Sequence, residues 1–236
     1  MGYKFKACYG GLNINCGVWP QSDIEMIEAT TNEYINDEHF MTYYMTVSGH
    51  LQYTYIGNSM ASKNRKYVKN LPYSEKIQAY LATQIELDKA LELLIKKLEN
   101  AGKLDDTVIA ISADHYPYGL TNDEIKSYAD YVIDEKFDIH KNAFILWNNK
   151  MEKSIKVTKY ASSLDIVPTI FNLFNLEYDS RLLIGKDILS DTEGIVIFND
   201  RSWITNSGKY DSVKDKFTPF KDNVGSSYVE NINNEV

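Results

Sequence analysis

Thr107-Val-Ile-Ala-Ile-Ser-Ala-Asp-His115 is a β-branched apolar run that ends in two side chains able to bind a metal. With no polar alternation before Ser112, the run predicts a strand buried on both faces, as in a parallel sheet covered by helices. Asp114 and His115 then fall at the C-terminal end of that strand. Ligands of open α/β sheets bind outside this rim, so a carboxylate and an imidazole emerging together there are placed for chemistry. The competing reading is an acidic loop residue beside a chance histidine.

Around this strand the pattern is α/β. Upstream, Ser22-Asp-Ile-Glu25 has capping-box spacing and predicts a helix over about residues 22–33. Phe40-Met-Thr-Tyr-Tyr-Met-Thr-Val47 is strongly β-prone and stops at Ser48-Gly49-His50, a second apolar run that ends in a histidine. Leu51 to Pro72 is polar, Tyr-rich and weakly periodic, and reads as a long loop. Ser74 opens the longest helix. Its stripe runs through Ile77, Leu81, Ile85, Asp88, Leu91, Ile95 and Leu98, with Gly102 as the C-terminal cap, and is expected to pack on a sheet with Asp88 at an edge.

Downstream, Tyr116-Pro-Tyr-Gly119 predicts a turn, 121–136 one surface helix or two short ones, and Ala143–Trp147 another buried strand. A helix beginning near Asp165 makes Pro168 a tolerated first-turn residue. Ile195–Phe198 and Ser202–Thr205 read as a hairpin. The expected fold is α/β, a mostly parallel sheet flanked by helices with a C-terminal β-hairpin. One domain over residues 1–210 is followed by a polar tail, 211–236, with little to bury.

Composition narrows the function classes. The 236 residues carry 33 Asp and Glu against 25 Lys and Arg, a net charge of -8, and the basic residues are scattered, which argues against nucleic acid as a partner. No apolar run reaches the length of a membrane span. Cys8 and Cys16, the only cysteines, are too few for a cysteine-based zinc site; they could form a disulfide on export, but the reading leans to free thiols.

The succession Thr46-Val-Ser-Gly-His50, Leu87-Asp-Lys-Ala-Leu91, Leu104 to His115, Ser162-Ser-Leu-Asp-Ile-Val-Pro-Thr169 and Leu183-Ile-Gly-Lys-Asp187 resembles the C-terminal part of the alkaline-phosphatase superfamily. Within it, the sequence is most similar to the lipoteichoic acid synthase or phosphoglycerol transferase group of sulfatase-like proteins. The resemblance implies that Asp114 and His115 bind a divalent metal. One carboxylate oxygen and one imidazole nitrogen suit Mn²⁺ or Zn²⁺ better than Ca²⁺, and the synthase group implies Mn²⁺. It also implies that His50 contacts the transferred phosphate group, where a hydrogen bond to an oxygen gaining negative charge lowers the barrier. His50 and His115 are then expected on one rim of the sheet, facing a shared cleft.

His39 and His140 match no ligand position and read as structural, and Asp165 is explained by helix capping. Arg201 and Trp203 receive no role. The departure from the family is the nucleophile: Cys16-Gly-Val-Trp-Pro20 lacks the sulfatase spacing, Thr30 and Thr31 lie inside a predicted helix, and Thr169 belongs to another segment. The family pattern puts the nucleophile and an acidic metal ligand before residue 1. The expectation is a C-terminal fragment of a metal-dependent enzyme acting on phosphodiesters or glycerophospholipids. Its parent would be membrane-anchored through a missing N-terminal segment and face outward, with a phosphoglycerol lipid or polymer as partner. The alternatives are a sulfatase or phosphodiester hydrolase, or a catalytically silent envelope-binding domain.

Overall fold

The computed structural model describes residues 2–236. The chain divides into two compact units, Met1–Met151 and Glu152–Val236, where the sequence suggested one domain ending at 210.

In the first unit, helix α1 spans Asp23–Thr30, and Ser22 caps it by accepting from the Glu25 amide at 3.3 Å. Only this half of the predicted capping box forms, because the Glu25 carboxylate accepts from the Asn15 amide at 2.9 Å instead. Helix α2, Ser59–Val68, lies inside the stretch expected to be a loop. Asn58 caps it by accepting from the Ala61 amide at 2.9 Å. Its buried face is Met60, Ala61, Asn64 and Val68, a helical spacing disguised by a small and a polar residue.

Helix α3 runs from Glu75 to Asn100 between the predicted Ser74 cap and Gly102, whose φ of 68° suits a glycine C-terminal cap. Its most buried face is Ile77, Ala79, Ala82, Thr83, Glu86, Ala90 and Leu98, a row of small side chains that lets α1 and α2 approach closely. Only its C-terminal part packs as predicted on strands: Leu94, Ile95 and Leu98 meet Ile109 and Trp147. Asp88 is exposed, as an edge position requires.

Strand β1 is Ile109–Ser112 and β2 is Phe144–Trp147; they pair antiparallel, with Ile109 opposite Trp147 and Ser112 opposite Phe144. The α/β class holds, but the named strands of this chain pair antiparallel, and β1 alternates between half-buried and exposed residues. Burial on both faces is therefore not realised here. Between them, Thr121 and Glu124 form a complete capping box at the start of α4, Asn122–Tyr128.

Residues 40–47 form no strand. Met41, Tyr43 and Met45 are 73%, 72% and 71% exposed, and Thr42 and Thr46 are exposed too, so the segment leaves three large apolar side chains in solvent without a ladder partner among the described residues.

In the second unit, α5 is Ile166–Leu173, preceded by a 3₁₀ turn at Ser163–Asp165, which puts Pro168 in the first turn as predicted. Strands β3 (Ile195–Ile197), β4 (Trp203–Thr205), β5 (Gly208–Asp211) and β6 (Lys216–Pro219) form an antiparallel meander in that order. The first two are the predicted hairpin. The rest corrects the expectation of a featureless tail: Tyr210, Phe217 and Tyr228 surround the fully buried Trp203, and α6, Tyr228–Glu235, brings Asn233 to accept from the Trp203 indole at 2.8 Å. A few aromatic residues supply a core that average polarity conceals.

Asp165 acts as a structural clamp, accepting from the Ser162 amide at 2.6 Å and the Lys186 amide at 2.7 Å. Buried Thr169 joins the same two segments, donating to the Asp165 carbonyl at 2.6 Å and accepting from the Ile188 amide at 3.0 Å. Thr169→Val keeps the volume and orphans the Ile188 amide, so urea denaturation should show a loss of about 1–3 kcal/mol. An unchanged midpoint would mean that water replaces the hydroxyl.

Candidate functional site

Asp114 and His115 leave β1 just beyond Ser112, in the loop that turns at Tyr116–Gly119. The His115 Nδ1–H donates to the Tyr116 carbonyl at 2.9 Å, so in a neutral ring the lone pair is on Nε2. That atom lies 3.5 Å from Asp114 Oδ1. Both side chains reach solvent. Two further rings support the loop: Tyr118 packs on His115 at 4.7 Å, and His140 stands edge-on to Tyr116 at 5.0 Å. His140 thus contacts the residue that fixes His115, which agrees with its structural reading. His39 is exposed beside Glu38.

The donor set fits a divalent ion. Two ligands at about 2.1 Å from a shared ion sit roughly 3–3.5 Å apart, and the metal-binding nitrogen is the one left free by a carbonyl-bound partner nitrogen. Among the described residues no group of three or more His, Cys, Asp or Glu side chains is arranged to hold a metal.

His50 sits in the turn that follows residues 40–47, its amide donating to the Val47 carbonyl at 3.0 Å. Its Nδ1 donates to the Leu51 carbonyl at 3.1 Å, the arrangement also found at His115. The loops of the two histidines touch: a Cβ added at Gly119 would come within 2.8 Å of the Tyr53 ring and 3.0 Å of Leu51 Cβ. Glycine at that position lets the turn after His115 seat against the residues just after His50.

The His50 turn is held from behind by groups that periodicity did not reveal. Asp23, buried at the start of α1, accepts from the Val47 amide at 2.9 Å, the Ser48 amide at 3.2 Å and the Ser48 hydroxyl. Burial pushes its carboxyl pKa up, against those hydrogen bonds. Next to it, the fully buried Glu86 of α3 accepts from Ser22 Oγ at 2.5 Å, Lys63 Nζ at 2.9 Å and Asn64 Nδ2 at 3.1 Å, joining all three helices. Burial works to raise the Glu86 pKa, but the bonds from Ser22, Lys63 and Asn64 prevail and hold it below the usual carboxylate range. The available signal was a glutamate on the small-residue face of α3, facing a helix that was itself read as a loop.

Cys8 and Cys16 form a disulfide with Cα atoms 5.8 Å apart, correcting the free-thiol reading. Eight-residue spacing left both states open, and only the turn made by the Gly10 amide donating to the Ala7 carbonyl at 2.8 Å, with Tyr9 at φ 62°, folds the segment back.

Asp114 and His115 thus pair just past the end of β1, whereas His50, expected on the same sheet rim, sits in a turn after residues 40–47, which form no strand. The family model described as Sulfatase matches residues 9–176, and the chain belongs to that family. It is 27% identical over 175 residues to the lipoteichoic acid synthase of Staphylococcus saprophyticus, covering 72% of this chain and 26% of the relative. The Staphylococcus aureus synthase gives 28% over 176 residues with the same coverage. The chain thus spans about a quarter of the length of these curated relatives. In structure it is similar to the lipoteichoic acid synthase LtaP from Listeria monocytogenes, with a TM-score of 0.67 and 20% identity over 90% of this chain and 56% of that one. No helix among the described residues is long and apolar enough to cross a membrane.

Proposed function

We propose that this chain is the C-terminal part of the catalytic domain of a metal-dependent phosphoglycerol transferase of the lipoteichoic acid synthase kind, acting on a phosphoglycerol lipid or polymer. The observation that carries the reading is the convergence of Asp114 Oδ1 and the lone-pair nitrogen of His115 at 3.5 Å, at the end of β1. In this reading Asp114 and His115 hold the ion, Mn²⁺ by resemblance, and His50 steadies the phosphate being transferred. A bound divalent ion would neutralise phosphate charge and lower the pKa of an attacking hydroxyl. The chain's own part is to orient the two donors through the Tyr116 carbonyl and to present His50 from a turn clamped by Asp23. The Cys8–Cys16 disulfide supports placement on the outer face of the membrane, because disulfides persist in oxidising compartments. A phosphate- or sulfate-ester hydrolase is the second reading, supported by the family match.

Calorimetric titration with glycerol 1-phosphate, with and without Mn²⁺, tests the assignment. Mn²⁺ should strengthen anion binding to the wild-type chain. His115→Ala should remove the Mn²⁺-dependent part, and His50→Ala should weaken binding in both conditions. Equal binding by all three proteins would refute these roles.

A further inference from the structure

We infer that Trp19 is a positioning residue for His50, fixing which ring nitrogen meets the ligand; the inference rests on the substrate-facing role proposed for His50. Two donors converge on one acceptor: the Trp19 indole N–H reaches the Leu51 carbonyl at 2.9 Å and the His50 Nδ1–H reaches the same oxygen at 3.1 Å. A carbonyl oxygen has two lone pairs and accepts both. The rings also touch, edge to face, with centroids 4.9 Å apart and planes at 69°. Trp19 therefore restrains the imidazole twice, by ring contact and by holding the carbonyl that selects its tautomer.

The backbone around this carbonyl is itself tied down. Asn58, the cap of α2, donates to the His50 carbonyl at 3.1 Å and to the Gln52 carbonyl at 2.8 Å, and the Tyr53 hydroxyl donates to the Gly49 carbonyl at 3.3 Å. The acceptor is thereby fixed by α2 while Trp19 closes the other side. With Nδ1 committed to Leu51, contact with a ligand falls to Nε2 alone. A neutral ring so held presents only a lone pair there, so a phosphate oxygen, itself an acceptor, is met by the protonated ring through Nε2–H. Trp19 is 44% exposed, more than a core tryptophan needs, so part of its ring borders solvent beside the histidine that it braces.

The test is ¹⁵N NMR of the imidazole nitrogens in the full 236-residue chain, with glycerol 1-phosphate affinity measured in parallel. Wild-type His50 should show a protonated Nδ1, and the anion should perturb Nε2. Trp19→Ala should give a mixture of tautomers and an affinity lower by about tenfold, the scale of a lost orienting contact. Trp19→Phe keeps ring contact without the N–H and should fall between, which separates orientation from simple loss of packing. A His50 spectrum and affinity unchanged in both variants would overturn the inference. If Trp19→Ala scrambles the tautomers while wild type binds no glycerol phosphate, the positioning role stands and the substrate role of His50 is what fails.

Discussion

Glu86→Ala is expected to destabilise the first unit by about 2–5 kcal/mol, read as a lower urea midpoint. The carboxylate is fully buried and accepts from Ser22, Lys63 and Asn64. Removing it strands two buried donors, the Ser22 hydroxyl and the Asn64 amide, at about 1–3 kcal/mol each, and opens a void among three helices. Lys63 is half exposed and can turn to water, so its loss adds little. A drop below about 1 kcal/mol would mean that neighbouring groups satisfy one another once the glutamate is gone.

The same carboxylate gives a pH signature. Its pKa is held below the usual range in the folded state, so its stabilisation is present above the unfolded value, about 4.3, and lost as pH falls through the folded one. Asp23 has the opposite sign: burial raises its pKa, so its contribution is full at low pH and lost as pH rises through the folded value. Glu86→Gln should therefore flatten the acid limb of the stability curve. The effect reaches the His50 turn through geometry, since Ser22, bound by Glu86, adjoins Asp23, which clamps the amides that lead into His50.

The sequence reveals those parts of the fold in which local chemistry and tertiary demand agree. The Ser74 cap, Gly102, the Pro168 first turn and the hairpin at 195–205 all follow from backbone rules that packing does not override. It misleads where partners decide. Residues 40–47 have strand composition, but no ladder forms on them, and β1 is covered on one side only. Helix α2 escapes notice because Ala61 and Asn64 bury without looking apolar, and Glu86 because its hydrogen bonds lie on segments far apart in sequence. Asp114 and His115 do stand just past a strand end as read, His50 instead lies in a turn after a segment that forms no strand, and the Trp19 contact could not be read from sequence, since it depends on one backbone carbonyl.

The purified chain should bind Mn²⁺ weakly and turn over neither a phosphodiester nor a glycerophospholipid. Asp114 and His115 supply two donors, where catalytic sites generally use three protein ligands, and among the described residues no third His, Cys, Asp or Glu joins them. The three threonines weighed as nucleophiles are engaged elsewhere. Thr30 Oγ1 donates to the Met26 carbonyl at 2.7 Å, Thr31 donates to the Ile27 carbonyl from a buried position, and Thr169 donates to the Asp165 carbonyl at 2.6 Å. A hydroxyl bonded inside its own helix is not presented to a metal-bound phosphate. Calorimetry with Mn²⁺ on wild type and Asp114→Ala, run beside a turnover assay, decides the matter. Weak binding that disappears in Asp114→Ala, without turnover, is the expected result. Tight binding that Asp114→Ala abolishes, together with measurable turnover, would mean that these 236 residues hold a complete site whose nucleophile is none of the threonines named here.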